Sequence, residues 1–170
     1  MSAQQLPSQL AEVVRELGLS PADARLSRLA GPGALLVLPG PQRPQMLVPA
    51  SPAGAVVIAE RRARGRKARL IKGATAAVLR TGAAAYVPLP KLQLRGPGLR
   101  ALAQEVSGGR CTEAAVLFGP PRANRKPVLR LFADDGSTWG YTKLGVNDLT
   151  DALVLSEATA LDEVWRHAWS

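Results

Sequence analysis

The sequence predicts an α+β protein, and three observations carry that prediction. Three strand-like runs follow one another in the last third of the chain: Thr112–Phe118, Pro127–Phe132 and Ser137–Leu144. Asp134-Asp135-Gly136, between the second and third runs, is a strong hairpin-turn signal, so the runs should form an antiparallel meander. Beyond them, Leu149, Leu153, Ala160, Leu161, Val164 and Ala168 recur at helical spacing and predict one helix from Leu149 to near the end of the sequence.

The part before residue 111 reads as mixed α/β. Leu6, Leu10, Val13, Val14 and Leu19 mark a short amphipathic helix that Gly18 and Pro21 terminate. Ala34–Leu38 and Gln45–Val48 are strand-like and close enough to pair as a hairpin. Ser51 followed by Pro52 signals a helix start, with Ser51 as N-cap, running to about Arg64. A second helix is expected over about 67–81, a brief strand over 92–95 and a helix over 98–106 that stops at Gly108-Gly109. Asn147 or Asp148 is placed to cap the final helix. The organisation expected is a mixed α/β N-terminal extension, residues 1–110, followed by a β-β-β-α segment, residues 111–170, made of an antiparallel sheet and one packed helix.

Composition narrows the class. Of the 170 residues, 46% are apolar and 21% charged, as in a globular domain with a core and unlike a disordered tail. Aromatics make up 4%, so Leu, Val and Ala must do most of the packing. Arg greatly outnumbers Lys and there are two Ile and two Asn, a bias like that of GC-rich bacterial coding, which raises Arg without any functional cause. Net charge is +9, yet from Val146 onward one Arg faces five carboxylates. A strongly basic body implies an anionic partner. Cys111 and His167 are the single residues of their types, which excludes a disulfide within one chain and a Cys/His metal site. No secretory signal is evident and the longest apolar runs are too short to span a bilayer, so a cytoplasmic location without a membrane partner is expected.

Two features bear on function. The run from Arg61 to Lys72 holds seven cations in twelve residues. It could grip nucleic-acid phosphates, which makes a basic nucleic-acid-binding or protein-interaction module without chemistry the alternative function. It also reads as a solvated link between helices, and it has no interleaved aromatics for stacking on single strands. The second feature is Glu157. It shares the helical stripe of Leu153, Leu161 and Val164, so a buried carboxylate in need of a cation is expected there. Lys143 sits near the end of the third strand, on the face of Trp139 and Tyr141, fourteen residues earlier. A strand lysine aimed by a helix glutamate is an arrangement that holds nucleotide phosphates, with the preceding hairpin loop lying over them. Cys111 reads as a packing residue and His167 as a surface one, while Trp165 and Trp169, four apart, mark either core or an exposed apolar patch.

The segments Gly119-Pro-Pro-Arg-Ala-Asn-Arg-Lys-Pro-Val-Leu-Arg-Leu, Gly140-Tyr-Thr-Lys-Leu-Gly-Val-Asn-Asp-Leu-Thr and Ser156-Glu-Ala-Thr-Ala-Leu carry a resemblance. Residues 111–165 resemble the N-lobe of the aminoglycoside phosphotransferase and choline-kinase-like superfamily, in particular its actinobacterial members. The resemblance implies a kinase-like N-lobe in which Lys143 holds the ATP phosphates, Glu157 orients it, and the loop Gly119 to Lys126, with Arg122, Asn124 and Arg125, covers the nucleotide. It implies ATP and Mg²⁺ as cofactors and a small hydroxylated or amino-sugar-like acceptor. In that superfamily a C-lobe supplies a His-x-Asp-type base and the metal ligands. Here His167 is followed by Ala168-Trp169. The expectation is therefore the nucleotide-binding lobe of an ATP-dependent small-molecule phosphotransferase, truncated, with no catalytic residue and no metal ligand of its own and a missing C-lobe as partner.

Overall fold

The computed structural model describes residues 6–29, 31, 33–84, 87–96, 98–118, 126–145 and 148–168. Among them run α1 (Ser8–Glu16), β1 (Ala24–Ser27), β2 (Leu35–Leu38), β3 (Met46–Pro49), α2 (Pro52–Glu60) and α3 (Arg66–Arg80). They are followed by β4 (Lys91–Leu94), α4 (Gly98–Val106), β5 (Glu113–Leu117), β6 (Val128–Phe132), β7 (Thr138–Lys143) and α5 (Asp148–Ala168). The fold is α+β, as the sequence predicts. The described strands form one seven-stranded sheet in the order β1-β4-β2-β3-β5-β6-β7, with every neighbouring pair antiparallel.

Local sequence explains why this sheet is covered on both faces. β2 is Leu-Leu-Val-Leu, and successive side chains of a strand point to opposite sides. Leu35 and Val37 enter one core, with Leu47, Val116, Leu129 and Leu131 of the neighbouring strands. Leu10, Val13 and Val14 of α1 and Leu99 and Ala103 of α4 close that core. Leu36 and Leu38 enter the other, with Val48, Ala115 and Phe132, beneath Val57 and Ile58 of α2 and Ala76 and Leu79 of α3. Each fully buried Leu or Phe contributes about 1.5–3 kcal/mol of burial, so both helix layers hold the sheet.

The expected hairpin of β2 and β3 forms, with Leu36 opposite Val48. The meander forms too, and the Asp134–Gly136 turn is closed by the Gly136 N–H donating to Ala133 O at 2.9 Å. Gly136 there has φ 78°, a conformation that side chains rarely adopt. The meander is not a separate sheet. β5 pairs with β3, Met46 opposite Leu117 and Leu47 opposite Val116, so strands from both sides of residue 110 share one hydrogen-bonded layer.

Three differences from the sequence reading have physical causes. β1 was not expected; it pairs along its whole length with β4, Ala24 opposite Leu94. Ser51 precedes α2, yet its hydroxyl makes no capping hydrogen bond and donates to Glu113 Oε2 at 2.7 Å, an interaction with a carboxylate on β5 that turns the side chain toward the sheet. The final helix was expected to pack on the meander. Instead no described side chain of α5 enters either core, and Leu155, Leu161 and Val164 are 70%, 61% and 64% exposed.

Helix α2 approaches β3 so closely that a Cβ at Gly54 would lie 1.9 Å from the Pro49 carbonyl oxygen and 2.9 Å from Val48 Cγ1. Gly73, on exposed α3, has nothing within 4 Å of that position. Helix propensity alone favours Ala over Gly by about 1 kcal/mol. Chemical denaturation should therefore find Gly73→Ala stabilised by roughly 0.5–1 kcal/mol and Gly54→Ala destabilised by at least about 1–3 kcal/mol. Equal gains at the two positions would contradict the packing of α2 on β3.

Candidate functional site

Lys143 closes β7, an edge strand, and sits opposite Val128 at the start of β6. Lys126 lies two residues before Val128, so both lysines stand at the same end of the β6–β7 hairpin. Helix α5 brings Glu157 to that end. Its carboxylate accepts a hydrogen bond from Lys126 Nζ at 2.7 Å through Oε1 and one from Lys143 Nζ through Oε2. The structure thus joins Lys143, Glu157 and Lys126 among the residues that sequence reasoning selected. Gly119, Arg122, Asn124 and Arg125, the rest of the expected covering loop, lie outside the described residues.

The environment of Glu157 differs from the buried one expected. Its side chain is 45% exposed and that of Lys143 51%, whereas that of Lys126 is 15% exposed. Glu157 does lie on the stripe of Leu153, Leu161 and Val164, but those three are themselves exposed, so its carboxylate meets the two lysines and not a core. The hydrogen bond from Lys126, then that from Lys143, holds the carboxyl pKa down to about 2. An exposed ion pair contributes little to stability. Its effect here is to fix two ammonium groups side by side.

The same sheet face carries a network that the sequence reading did not single out. Arg130 on β6 is 6% exposed. Its guanidinium pairs with the Glu60 carboxylate at the end of α2, Nη2 to Oε1 at 3.0 Å and Nη1 to Oε2, and Nε donates to Thr138 Oγ1 at 2.9 Å. It also lies 5.7 Å from the centre of the Tyr141 ring and 5.5 Å from that of Phe132. The hydrogen bond to Glu60 raises the Arg130 pKa, and the same bond lowers that of Glu60. The signal was present in Val-Leu-Arg-Leu-Phe. Arg130 shares its side with Val128 and Phe132, so a cation on a buried face demanded an anion. Tyr141, opposite Arg130, is 62% exposed and two residues from Lys143.

Lys91 is a second buried cation. It is fully buried in β4, its ammonium donating to Val87 O at 2.6 Å and to Arg28 O, and burial pushes its pKa down. With backbone carbonyls as its acceptors it ties two loops together. Cys111 is buried in the α1/α4 core. The side chains of Trp165, His167 and Trp169 lie outside the described residues. Among the described residues no three His, Cys, Asp or Glu side chains gather as metal ligands. A cleft of about 710 Å³ lies at the other end of the strands, lined by the starts of α2 and α4 together with Arg100, Glu113, Asp134 and Asp135. It contains none of the lysine–glutamate residues.

Comparison with protein-family models, with curated proteins and with solved structures finds no match to this chain. The geometry therefore stands by itself: two ammonium groups from a strand end and its preceding loop, aimed by one carboxylate from a helix.

The sign of the pH effect follows from the lowered pKa of Glu157. A carboxyl that titrates near 2 in the folded chain and at 4.5 otherwise favours the docked helix fully above pH 4.5, and the effect fades as pH falls through about 2. A ¹³C-detected titration should place the Glu157 midpoint near 2, and Lys126→Ala should move it toward 4.5. A midpoint near 4.5 in the unmodified chain would mean that the two lysines do not hold this carboxylate in solution.

Proposed function

We propose that this chain contains the nucleotide-binding lobe of a kinase-like small-molecule phosphotransferase. The observation that carries the reading is the single carboxylate shared by Lys143 on β7 and Lys126 at the foot of the loop before β6. Phosphate oxygens need fixed positive donors, and an ammonium already held by a carboxylate loses little further freedom when it grips one. Two ammonium groups against one carboxylate leave a net positive charge, suited to a polyphosphate. The resemblance of residues 111–165 to the aminoglycoside phosphotransferase and choline-kinase-like N-lobe assigns the same parts: Lys143 to the phosphates, Glu157 to its orientation, and the loop ending at Lys126 to the nucleotide's cover.

The donor set fits ATP phosphates. Lys143 and Lys126 would bind them, Glu157 would orient both amines, and exposed Tyr141, two residues from Lys143, offers a ring beside them. ATP, when bound, would supply the phosphoryl group. Mg²⁺ would arrive with the phosphates, since the described residues bring no three-ligand group to it. On this reading the base and the acceptor site belong to a C-lobe, and the present residues bind and orient without carrying out transfer.

Isothermal titration of the full chain with Mg·ATP and Mg·ADP tests this. Saturable binding should appear and weaken at least about ten-fold in Lys143→Ala and in Glu157→Gln, a loss of about 1.4 kcal/mol or more for a charge-assisted phosphate contact. Absence of saturable binding up to millimolar nucleotide, or equal affinity in all three proteins, would remove the nucleotide-lobe reading.

A further inference from the structure

The basic run between α2 and α3 has a shape that its composition did not reveal. Lys72 Nζ donates to the carbonyl oxygens of Ala59 and Arg61 at 3.0 and 3.1 Å, which ties the chain between α2 and α3 into a fixed turn. Gly65, with φ 87°, lets the chain reverse into α3. The buried residues of α3 are Ala76 and Leu79, in its second half. Its first six residues, Arg66 to Ile71, are all exposed, so this end of the helix stands clear of the body.

Five exposed cations gather on the α2–α3 turn and this helix end: Arg62, Arg64, Arg66, Lys67 and Arg69. The first turn of α3 contains no acidic residue. Cations there face the positive end of the helix dipole, an unfavourable placement that a layer of negative charge outside the protein would reverse. Leu70 and Ile71 stand among them, 75% and 52% exposed. Arg66 with Leu70, and Lys67 with Ile71, are four apart and so share a side of the helix. Exposed aliphatic side chains flanked by arginine and lysine match the boundary of an anionic bilayer, where headgroups take the charges and the acyl region takes Leu and Ile. A nucleic-acid backbone would satisfy the cations but gives Leu70 and Ile71 no apolar phase. No helix in the described residues is long and apolar enough to cross a membrane, so the contact is one of lying on the surface.

We infer that the α2–α3 turn and the exposed half of α3 form a peripheral docking surface for membranes rich in anionic lipid. The surface binds through Arg62, Arg64, Arg66, Lys67 and Arg69 and seats Leu70 and Ile71 below the headgroups. It is independent of the nucleotide reading, because none of its residues belongs to the lysine–glutamate cluster.

Co-sedimentation of the full chain with phosphatidylglycerol-containing vesicles, against pure phosphatidylcholine vesicles, tests it. Binding should require the anionic lipid and fall as salt rises. Each cation at such a surface is worth about five-fold in partitioning, so Arg66→Ala/Lys67→Ala/Arg69→Ala should bind about a hundred-fold more weakly. Leu70→Ser/Ile71→Ser keeps every charge and should still lose on the order of ten-fold or more. All five positions are exposed, so thermal midpoints should match the parent and confirm that the variants fold. Failure to bind anionic vesicles overturns the inference. So does binding indifferent to Leu70→Ser/Ile71→Ser. Salt-sensitive retention of duplex DNA in place of vesicles, lost with the cations and unchanged by the serine variant, would assign the surface to nucleic acid and overturn it as well.

Discussion

Pairing of β3 with β5 is the contact on which the rest of the architecture depends. Met46 opposite Leu117 and Leu47 opposite Val116 join the strands on either side of residue 110 into one sheet. That junction places β2, β3 and β5 in the interior of the sheet, where both faces must be apolar. β2 meets the demand with four apolar residues in succession, and β5 supplies Ala114, Ala115 and Val116, all buried. Small Ala residues at the centre let the helix layers approach closely, as Gly54 does for α2 on β3.

Polar groups inside such a sheet need partners, and the protein answers in two ways. Lys91 lies in β4, between β1 and β2, and directs its ammonium to loop carbonyls. Arg130 lies in β6, next to the edge strand, and reaches a carboxylate because the end of α2 stands over that part of the face. Removing Glu60 would leave the buried guanidinium with Thr138 and two aromatic rings, a poorer substitute for a charge. The same salt bridge fixes the end of α2 just before the basic turn, so the position of Arg62 and Arg64 depends on a contact made inside the sheet face.

Local elements were legible where local chemistry sets them. The Asp-Asp-Gly turn specifies the β6–β7 hairpin, and the apolar spacing of α4 marks Gly98–Val106. β1 escaped notice because Ala-Arg-Leu-Ser has two apolar residues and its order comes from β4. The β3–β5 pairing was invisible for a related reason: residues about seventy apart meet, and no turn between them announces it. In the candidate site, spacing led correctly to Lys143 facing Glu157. It misjudged burial, because periodicity identifies a stripe on α5 and says nothing of what covers it. Arg130 could have been found by asking which residue of β6 places a charge beside Val128 and Phe132. Lys91 could not, since Lys-Leu-Gln-Leu reads as a strand with one polar face.

A lysine on an edge strand has an ordinary structural purpose, and the cluster must be weighed against it. Edge lysines discourage pairing with other chains by keeping a solvated charge on the open strand, and β7 is such an edge. That purpose is served best by a free ammonium. Here the Lys143 amine is held by Glu157, and a second amine, largely covered, is brought to the same carboxylate from a different segment. Holding three side chains together costs conformational entropy, and exposed ion pairs return at most about 1 kcal/mol. Stability therefore gives little reason to order them. On the nucleotide-binding reading proposed above, a polyanion would give one, because the ordering would be complete before the ligand arrives. The physical case for a phosphate ligand rests on that asymmetry between what the cluster contributes to the empty protein and what it offers to an anion.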